Sequence, residues 1–196
     1  AQALYDDFRR EYWDSGRMER SENACNAGSY NASLPFRSFG EGVGQLAALG
    51  SPPAALLRAV QLMAAVAAEL DAGGYPHRLV VPQSVKLGCY PPGPAHYKPH
   101  LDNYEGGTAG RRQVGNRREV TVLLYPNPAS WDCGAHGGGL RLLPGEGPAA
   151  GETCHTLSPA GGRCVVFCSR SVLHEVLPTR RLRFCLTLWI ERAAEA

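Results

Sequence analysis

Long apolar runs and an excess of one charge are both missing from this chain of 196 residues. Its longest apolar stretch, residues 54–70, contains Arg58, Gln61 and Glu69 and is shorter than a typical membrane span. Lysine and arginine number 20 against 18 aspartate and glutamate, a formal charge of +2 that does not indicate a strong nucleic-acid binder. We therefore expect neither a membrane nor a nucleic acid as a partner.

A disulfide framework is not indicated either, because the seven cysteines are odd in number and irregular in spacing. Most of the later ones stand in apolar runs such as "RCVVFC" and "RFCLTLW". Such positions are typical of buried free thiols in a reducing compartment. We therefore expect a cytoplasmic or other reducing intracellular location.

Two segments with helical periodicity lie in the N-terminal part of the chain. Apolar side chains at helical spacing predict a first helix that ends near Gly16. These side chains are Leu4, Tyr5, Phe8 and Tyr12. The Ser-Pro-Pro sequence at residues 51–53 suits a helix cap and first turn, and Gly73 suits the end of that second helix. Between the two, residues 20–45 are polar, with one short strand predicted at "LPFRSFG".

From residue 79 the pattern becomes extended, with β-branched and alternating runs that glycine and proline clusters separate. The runs are "RLVVPQSVKLGCY", "REVTVLLYPN", "GGGLRLLP", "GGRCVVFCS" and "RLRFCLTLWIE". Because no helical pattern separates them, they predict an antiparallel sandwich or barrel such as a jelly roll. The expected fold class is therefore mainly β with N-terminal helices.

The short segment "HYKPHLDN" carries a candidate metal site. His100 and Asp102 are two residues apart and would share one face of an extended strand. Of the later histidines, His136 and His155 stand in glycine-rich or loop sequence, and His174 alone has a strand-edge context. His-x-Asp with a distant histidine is the facial triad of non-haem Fe(II) enzymes. A zinc site from Cys133, His136, Cys154 and His155 is a weaker alternative, because its spacing is irregular.

A cationic residue on the last predicted strand strengthens the iron interpretation. Arg183 shares one strand face with Cys185, Thr187 and Trp189. An arginine in this place could hold a carboxylate bidentately, and Thr187 could donate a hydrogen bond to it. A dicarboxylate that chelates the metal through its other end would need such a partner.

At these residues the sequence resembles the Fe(II)/2-oxoglutarate dioxygenases of the prolyl 4-hydroxylase group, most closely the hypoxia-inducible-factor prolyl hydroxylases. The matching segments are "CYPPGPAHYKPHLDN", "REVTVLLYPNPASWD", "GGGLRLLPGEG" and "SRSVLHEVLPTRRLRFCLTLWI". The resemblance covers residues 75–190 and implies a double-stranded β-helix (jelly roll). It also implies a single dioxygenase domain over 1–196, with helical support and a substrate-side loop in 1–75 and the catalytic core in 76–192.

The resemblance also implies the roles of individual residues. His100, Asp102 and His174 would bind Fe(II), and no further catalytic side chain is expected. Arg183, Tyr125, Thr187 and Tyr90 would bind the 2-oxoglutarate, and Tyr97, Arg118 and Trp189 would lie on the substrate side. The implied reaction couples O2 and the decarboxylation of 2-oxoglutarate to succinate and CO2 with hydroxylation of a prolyl residue in a protein or peptide. Ascorbate is a candidate accessory reductant.

Two other functions stay open at this point. One is an oxygenase of the same type that acts on a free amino acid or another residue, and the other is a non-catalytic jelly-roll binding domain. The second is disfavoured because the three metal ligands and the arginine are all present. The Gly- and Arg-rich residues 103–118 are a candidate lid over the site.

Overall fold

A computed structural model describes residues 1–39, 42–46, 54–104, 116–143 and 154–194. The helices are α1 (Gln2–Phe8), which continues into a π-helical turn (Arg9–Trp13), α2 (Ala54–Ala72) and the short α3 (Cys133–His136). The strands are β1 (Glu19–Arg20), β2 (Tyr30–Phe39), β3 (Gly42–Leu46), β4 (Leu79–Val80), β5 (Ser84–Tyr90), β6 (Tyr97–His100), β7 (Arg118–Leu124), β8 (Leu140–Leu142), β9 (His155–Leu157), β10 (Cys164–Cys168), β11 (His174–Val176) and β12 (Arg183–Arg192).

The described strands form two antiparallel sheets. The larger has the order β1-β2-β5-β12-β7-β10, with β3 added on β2 and β4 on β12. The smaller has the order β6-β11-β8-β9. The expected mainly-β fold with N-terminal helices, a double-stranded β-helix or jelly roll, is confirmed. Strand β12 lies between β5 and β7, so its side chains reach both neighbours.

Alternation along β12 separates the core from the site. Phe184, Leu186, Leu188 and Ile190 are fully buried on one face, where they join the core formed with α1 and α2. Arg183, Cys185, Thr187 and Trp189 occupy the other face. Because side chains alternate along a strand, one sequence supplies both an apolar support and a polar cavity wall.

Both predicted helices are present. Helix α1 buries Tyr5 and Phe8, whose rings meet Phe184 edge to face at centroid distances of 5.4 and 6.0 Å. Helix α2 ends before Gly74, which has φ +79 and so adopts a conformation that glycine tolerates best. The predicted cap at residues 51–53 lies outside the described residues. No helix among the described residues is long and apolar enough to cross a membrane.

The N-terminal segment contributes more strand than the sequence pattern predicts. Strand β2 is ten residues long and pairs with β5 from Tyr30↔Cys89 to Pro35↔Ser84, so residues 1–75 supply a strand of the larger sheet besides the expected helices. His155, expected in a loop, lies in strand β9. These elements are short or polar and are ordered by pairing with neighbours. It stays a prediction that residues 1–196 form a single domain in which residues 76–192 are the catalytic core.

Candidate metal and cosubstrate site

Two strands of the smaller sheet and the turn after one of them bring three metal-binding side chains together. His100 ends β6 and His174 begins β11, and the two residues pair directly across the strands. His100 Nε2 lies 3.7 Å from Asp102 Oδ1, and His174 Nε2 lies 3.8 Å from Asp102 Oδ2. One ligand atom from each lies within 4.8 Å of the others, and all three residues are buried. The three side chains could together bind one metal ion, all from the same side of that ion.

Backbone carbonyls orient both imidazoles towards this point. His100 Nδ1 lies 2.8 Å from the Lys98 carbonyl oxygen, and His174 Nδ1 lies 2.9 Å from that of Val172. Since a carbonyl only accepts, each Nδ1 carries a proton, and in the neutral ring the lone pair is then on Nε2. Burial and the neighbouring His174 lower the pKa of His100 to about 4, which keeps that ring neutral at pH 7. Neutral imidazoles with a fixed tautomer are the form that ligates metals.

The Asp102 carboxylate is oriented by a hydroxyl pair that the sequence analysis missed. Thr121 Oγ1 donates to Asp102 Oδ2 at 2.7 Å, and Thr121 and Ser169 share a second hydrogen bond of 2.7 Å. Both hydroxyl residues are fully buried. In the sequence, Thr121 looks like any β-branched residue in the apolar run of β7. Only the alternation of the strand, which puts Thr121 on the same face as the cavity-lining Leu123, connects it with the site.

Arg183 forms the inner end of the same cavity. Its side chain is 1% exposed, and Nε donates to the Gly138 carbonyl oxygen at 2.8 Å. Nη1 is buried and has no hydrogen-bond partner among the described residues. The guanidinium lies over the rings of Tyr90 and Tyr125, at 5.0 and 5.1 Å from their centroids. A buried guanidinium with an unused donor suits the binding of a carboxylate.

The glycine run before β8 makes room for this arginine. Gly138 has φ +71, and a Cβ there would lie 3.0 Å from Arg183 Cδ and 3.1 Å from Thr179 Oγ1. A larger residue would therefore be strained at this φ and would crowd the arginine, whose Nε donates to the Gly138 carbonyl. The matched segment "GGG" is thus explained by the close approach of backbone and side chain.

Tyr125 adds a neutral donor beside the arginine, and Thr187 adds another further along the same cavity. The Tyr125 hydroxyl is buried and has no partner among the described residues. Burial raises the pKa of Tyr125 and of Tyr90 well above the usual phenol value, so both keep their protons. Thr187 and Cys185 Sγ lie 3.9 Å apart on the same wall. Together with Arg183, these groups fit an acidic ligand that reaches the three metal-binding residues through one cavity.

Two of the residues predicted to be on the substrate side, Tyr97 and Trp189, line this cavity, and the third, Arg118, lies against Trp189. Tyr97 stacks on His100 with ring centroids 3.6 Å apart, and the Arg118 guanidinium lies 3.8 Å from the Trp189 ring centroid. Lys86, which the sequence analysis missed, places its ammonium 5.6 Å from the same centroid. Most of the predicted lid, residues 105–115, lies outside the described residues.

The alternative zinc site is not formed. Within the parts of the chain that the structure describes, His100, Asp102 and His174 are the only three such side chains with ligand atoms close enough to share an ion. All seven cysteines lie in those parts and are free thiols. The expected cytoplasmic or other reducing intracellular location of the protein stays a prediction.

Comparison with known proteins agrees with this geometry. The sequence profile of the 2OG-Fe(II) oxygenase superfamily matches residues 85–191, more than half of the chain. The chain belongs to this superfamily. The matched part includes the three metal-binding residues and Arg183. The family implies Fe(II) and 2-oxoglutarate as cofactors. The donor set and the unpartnered groups Arg183 Nη1 and Tyr125 OH fit these two ligands.

Several relatives are prolyl hydroxylases. The chain is 35% identical over 104 residues to the hypoxia-inducible factor prolyl hydroxylase of Caenorhabditis elegans, covering 53% of this chain and 12% of that protein. It is 33% identical over 110 residues to the prolyl hydroxylase EGLN3 of Homo sapiens, covering 56% and 40%. A Pseudomonas putida prolyl-4-hydroxylase structure superposes with a TM-score of 0.72 at 26% identity, covering 98% of this chain and 86% of that one. The chain thus spans less than half the length of the curated relatives it matches.

Proposed function

We propose that this protein catalyses Fe(II)- and 2-oxoglutarate-dependent hydroxylation of a prolyl residue in a protein or peptide, with release of succinate and CO2. One observation supports this above all others. A buried two-histidine, one-aspartate group and a buried arginine with an unused donor line the same cavity. A ligand that chelates a metal with one end and carries a carboxylate at the other meets both requirements.

In this proposal His100, Asp102 and His174 hold Fe(II). When bound, the metal supplies activation of O2, and 2-oxoglutarate supplies the electrons for that activation. The protein's own contribution is orientation: the carbonyls of Lys98 and Val172 fix the tautomers, and Thr121 holds one carboxylate oxygen. Ascorbate would serve as an accessory reductant.

Arg183 pairs with the distal carboxylate of 2-oxoglutarate in this proposal, assisted by Thr187 and Tyr125. Its guanidinium stays charged, and a bound carboxylate would supply the counter-charge that the described residues do not. The Tyr90 and Tyr125 rings flank the guanidinium and exclude water from it. A charge-assisted hydrogen bond in such a dry site is stronger than at a surface.

The prolyl substrate rests on the relatives and on the cavity mouth. The named relatives are prolyl hydroxylases. Tyr97, Arg118 and Trp189 lie around the opening, where a peptide would approach the metal. O2 and a proline-containing protein or peptide are therefore the proposed partners.

Succinate release by the purified protein tests the proposal. The protein is supplied with Fe(II), 2-oxoglutarate and O2, with and without a pool of proline-containing peptides, and the peptides are read by mass spectrometry for an added oxygen. Peptide-stimulated succinate together with an oxidised proline is expected. Succinate that peptides do not stimulate would reject prolyl peptides while keeping the oxygenase, and absence of both succinate and Fe(II) binding would reject the oxygenase.

A further inference from the structure

A second cationic feature lies at the mouth of the cavity, apart from Arg183. The indole of Trp189 has two cations beside it, with the Arg118 guanidinium 3.8 Å and the Lys86 ammonium 5.6 Å from its ring centroid. Within the described part of the chain, neither cation has an acidic side chain within 4 Å; Arg118 contacts only the backbone oxygen of Asp102, at 3.4 Å. The Trp189 indole N–H is buried and has no partner there.

All three groups are hydrogen-bond donors, and the described residues offer them few acceptors. Lys86 and Arg118 are only partly exposed, so their charges have lost part of their water. Burial, followed by the charge of Arg118, lowers the pKa of Lys86, and the more distant Asp102 carboxylate only partly opposes this shift. Like charges near one ring repel each other unless an anion lies between them.

The position of Lys86 links the cavity to a larger groove. Lys86 on β5 pairs with Thr187 on β12 and with Ser33 on β2. It therefore lies between the strand that carries Arg183 and Thr187 and the strand that precedes α2. Lys86 and Trp189 line both the metal-side cavity and a groove of about 700 Å³ along β2. Such a volume accommodates a peptide segment rather than a single amino acid. The groove also contains Arg17 and Glu19, so its remaining charge is mixed.

We propose that Lys86, Arg118 and the Trp189 indole N–H form a carboxylate site that selects substrates with an acidic group close to the oxidised residue. This inference rests on the proposed function and adds a specificity rule to it. The anion belongs to the substrate and not to 2-oxoglutarate, whose distal carboxylate has Arg183 at the opposite end of the cavity. The carboxylate comes from an Asp or Glu side chain or from a chain terminus.

Matched peptides test the site and distinguish these two sources. One set carries glutamate or glutamine at each position flanking a central proline, with both ends blocked. A second set ends shortly after the proline as a free carboxylate or as an amide. At one or more flanking positions we expect glutamate to exceed glutamine in kcat/KM by about 10- to 100-fold, as for a hydrogen bond to a charged group. A preference for the free terminus alone would assign the carboxylate to a chain end.

Variants identify the residue responsible. Lys86→Met is expected to reduce the glutamate preference to nearly one, and Lys86→Glu to reverse it in favour of lysine-containing peptides. Arg78→Met removes one exposed charge outside the groove and should keep the preference. If Lys86→Met instead raises the KM for 2-oxoglutarate with the peptide preference unchanged, the anion is the cosubstrate and the inference is wrong.

Measuring peptide binding tests the carboxylate site even if the protein shows no turnover. The same peptides are titrated calorimetrically into the protein with Fe(II) and 2-oxoglutarate under anaerobic conditions. Equal or undetectable binding of the carboxylate and amide peptides would overturn the carboxylate site. If proline is oxidised without any glutamate preference, the proposed function stands and this inference alone fails.

Discussion

Arg183 and Glu119 are both buried charged residues, yet their surroundings differ. Glu119 is 3% exposed and has its partners within the protein, since its carboxylate receives Arg170 at 2.8 Å, Arg192 at 3.3 Å and the Tyr75 hydroxyl at 3.1 Å. Arg183 is 1% exposed, but the described residues give it one carbonyl oxygen and leave Nη1 without a partner.

This difference separates a structural charge from a charge kept for a ligand. A buried ion with all its partners present holds elements together and loses stability when one partner is removed. A buried ion that lacks a counter-charge costs folding free energy, which a ligand can return on binding. We therefore expect changes at Glu119 to affect unfolding and changes at Arg183 to affect binding.

The largest effect is expected at the metal-binding residues. His174→Ala should abolish Fe(II)-dependent succinate formation while the far-UV circular dichroism spectrum stays that of the folded protein, because one of three ligands is lost from a preformed site. The exposed His155 in β9 supplies the control variant His155→Ala. Full activity in His174→Ala would remove the metal site from the proposal.

Glu119→Gln should lower the free energy of unfolding by about 3–5 kcal/mol, because a buried pair loses one charge. Urea denaturation followed by fluorescence measures this loss. Glu191→Gln is the matched control, since its pair with Arg117 at 3.0 Å is largely exposed and worth at most about 1 kcal/mol. Equal losses in the two variants would contradict the distinction between the two kinds of charge.

Arg183→Ala should weaken 2-oxoglutarate binding by about 2–5 kcal/mol, because the carboxylate loses its charge-assisted partner. Anaerobic calorimetry of the Fe(II)-loaded protein measures the change, with Arg78→Ala as the exposed control. The comparison with Glu119 predicts a smaller loss of stability in Arg183→Ala than in Glu119→Gln. An Arg183→Ala protein that loses more stability than Glu119→Gln but binds 2-oxoglutarate normally would reverse the two assignments.

The metal-free protein should lose stability as the pH falls from about 6.5 to about 4. The pKa of His100 is lowered to about 4 by burial and by His174, so between these values the unfolded state binds the proton and the folded state does not. The contribution is fully present above pH 6.5 and amounts to about 3 kcal/mol. Unfolding at a series of pH values should give a flatter profile for His100→Gln than for the parent.

The smallest effect is expected from the support of Asp102. Thr121→Val keeps the side-chain shape but removes the hydrogen bond to the carboxylate, and it should weaken Fe(II) binding by about 10- to 100-fold. Thr121→Ser retains the hydroxyl and should retain most of the affinity. Competition with a metal chelator measures both, and equal affinities for the two variants would show that the hydroxyl does not position Asp102.

Much of this arrangement could be predicted from local pattern. Strands β7 and β12 are long and alternating, so the chain itself indicates which of their residues face inward. His100 and Asp102 at spacing two, with His174 and Arg183 in matching segments, were the basis for predicting the members of the site. Their joint position around one cavity agrees with that prediction.

Other parts had no local signal. The sequence predicted the later part of β2 as a short strand at "LPFRSFG", but residues 30–33 lie in a polar segment and become strand through pairing with β5, which no periodicity reveals. Thr121, Ser169 and Lys86 look like ordinary strand or loop residues until neighbouring strands bring them to the cavity. Contacts of this kind join residues distant in the chain, whereas propensity and periodicity describe only near neighbours.

The residue types and their spacing along the chain were enough to identify the available chemistry: His174 and Arg183 on predicted strands, and an aspartate two residues after His100. The tertiary structure decided which of these groups have partners. It surrounds Glu119 with cations and places Lys86 beside Trp189. Among the described residues it gives no acceptor to Arg183 Nη1, the Tyr125 hydroxyl or the Trp189 indole N–H. Whether a buried charge is satisfied depends on every side chain around it, and only packing brings those side chains together.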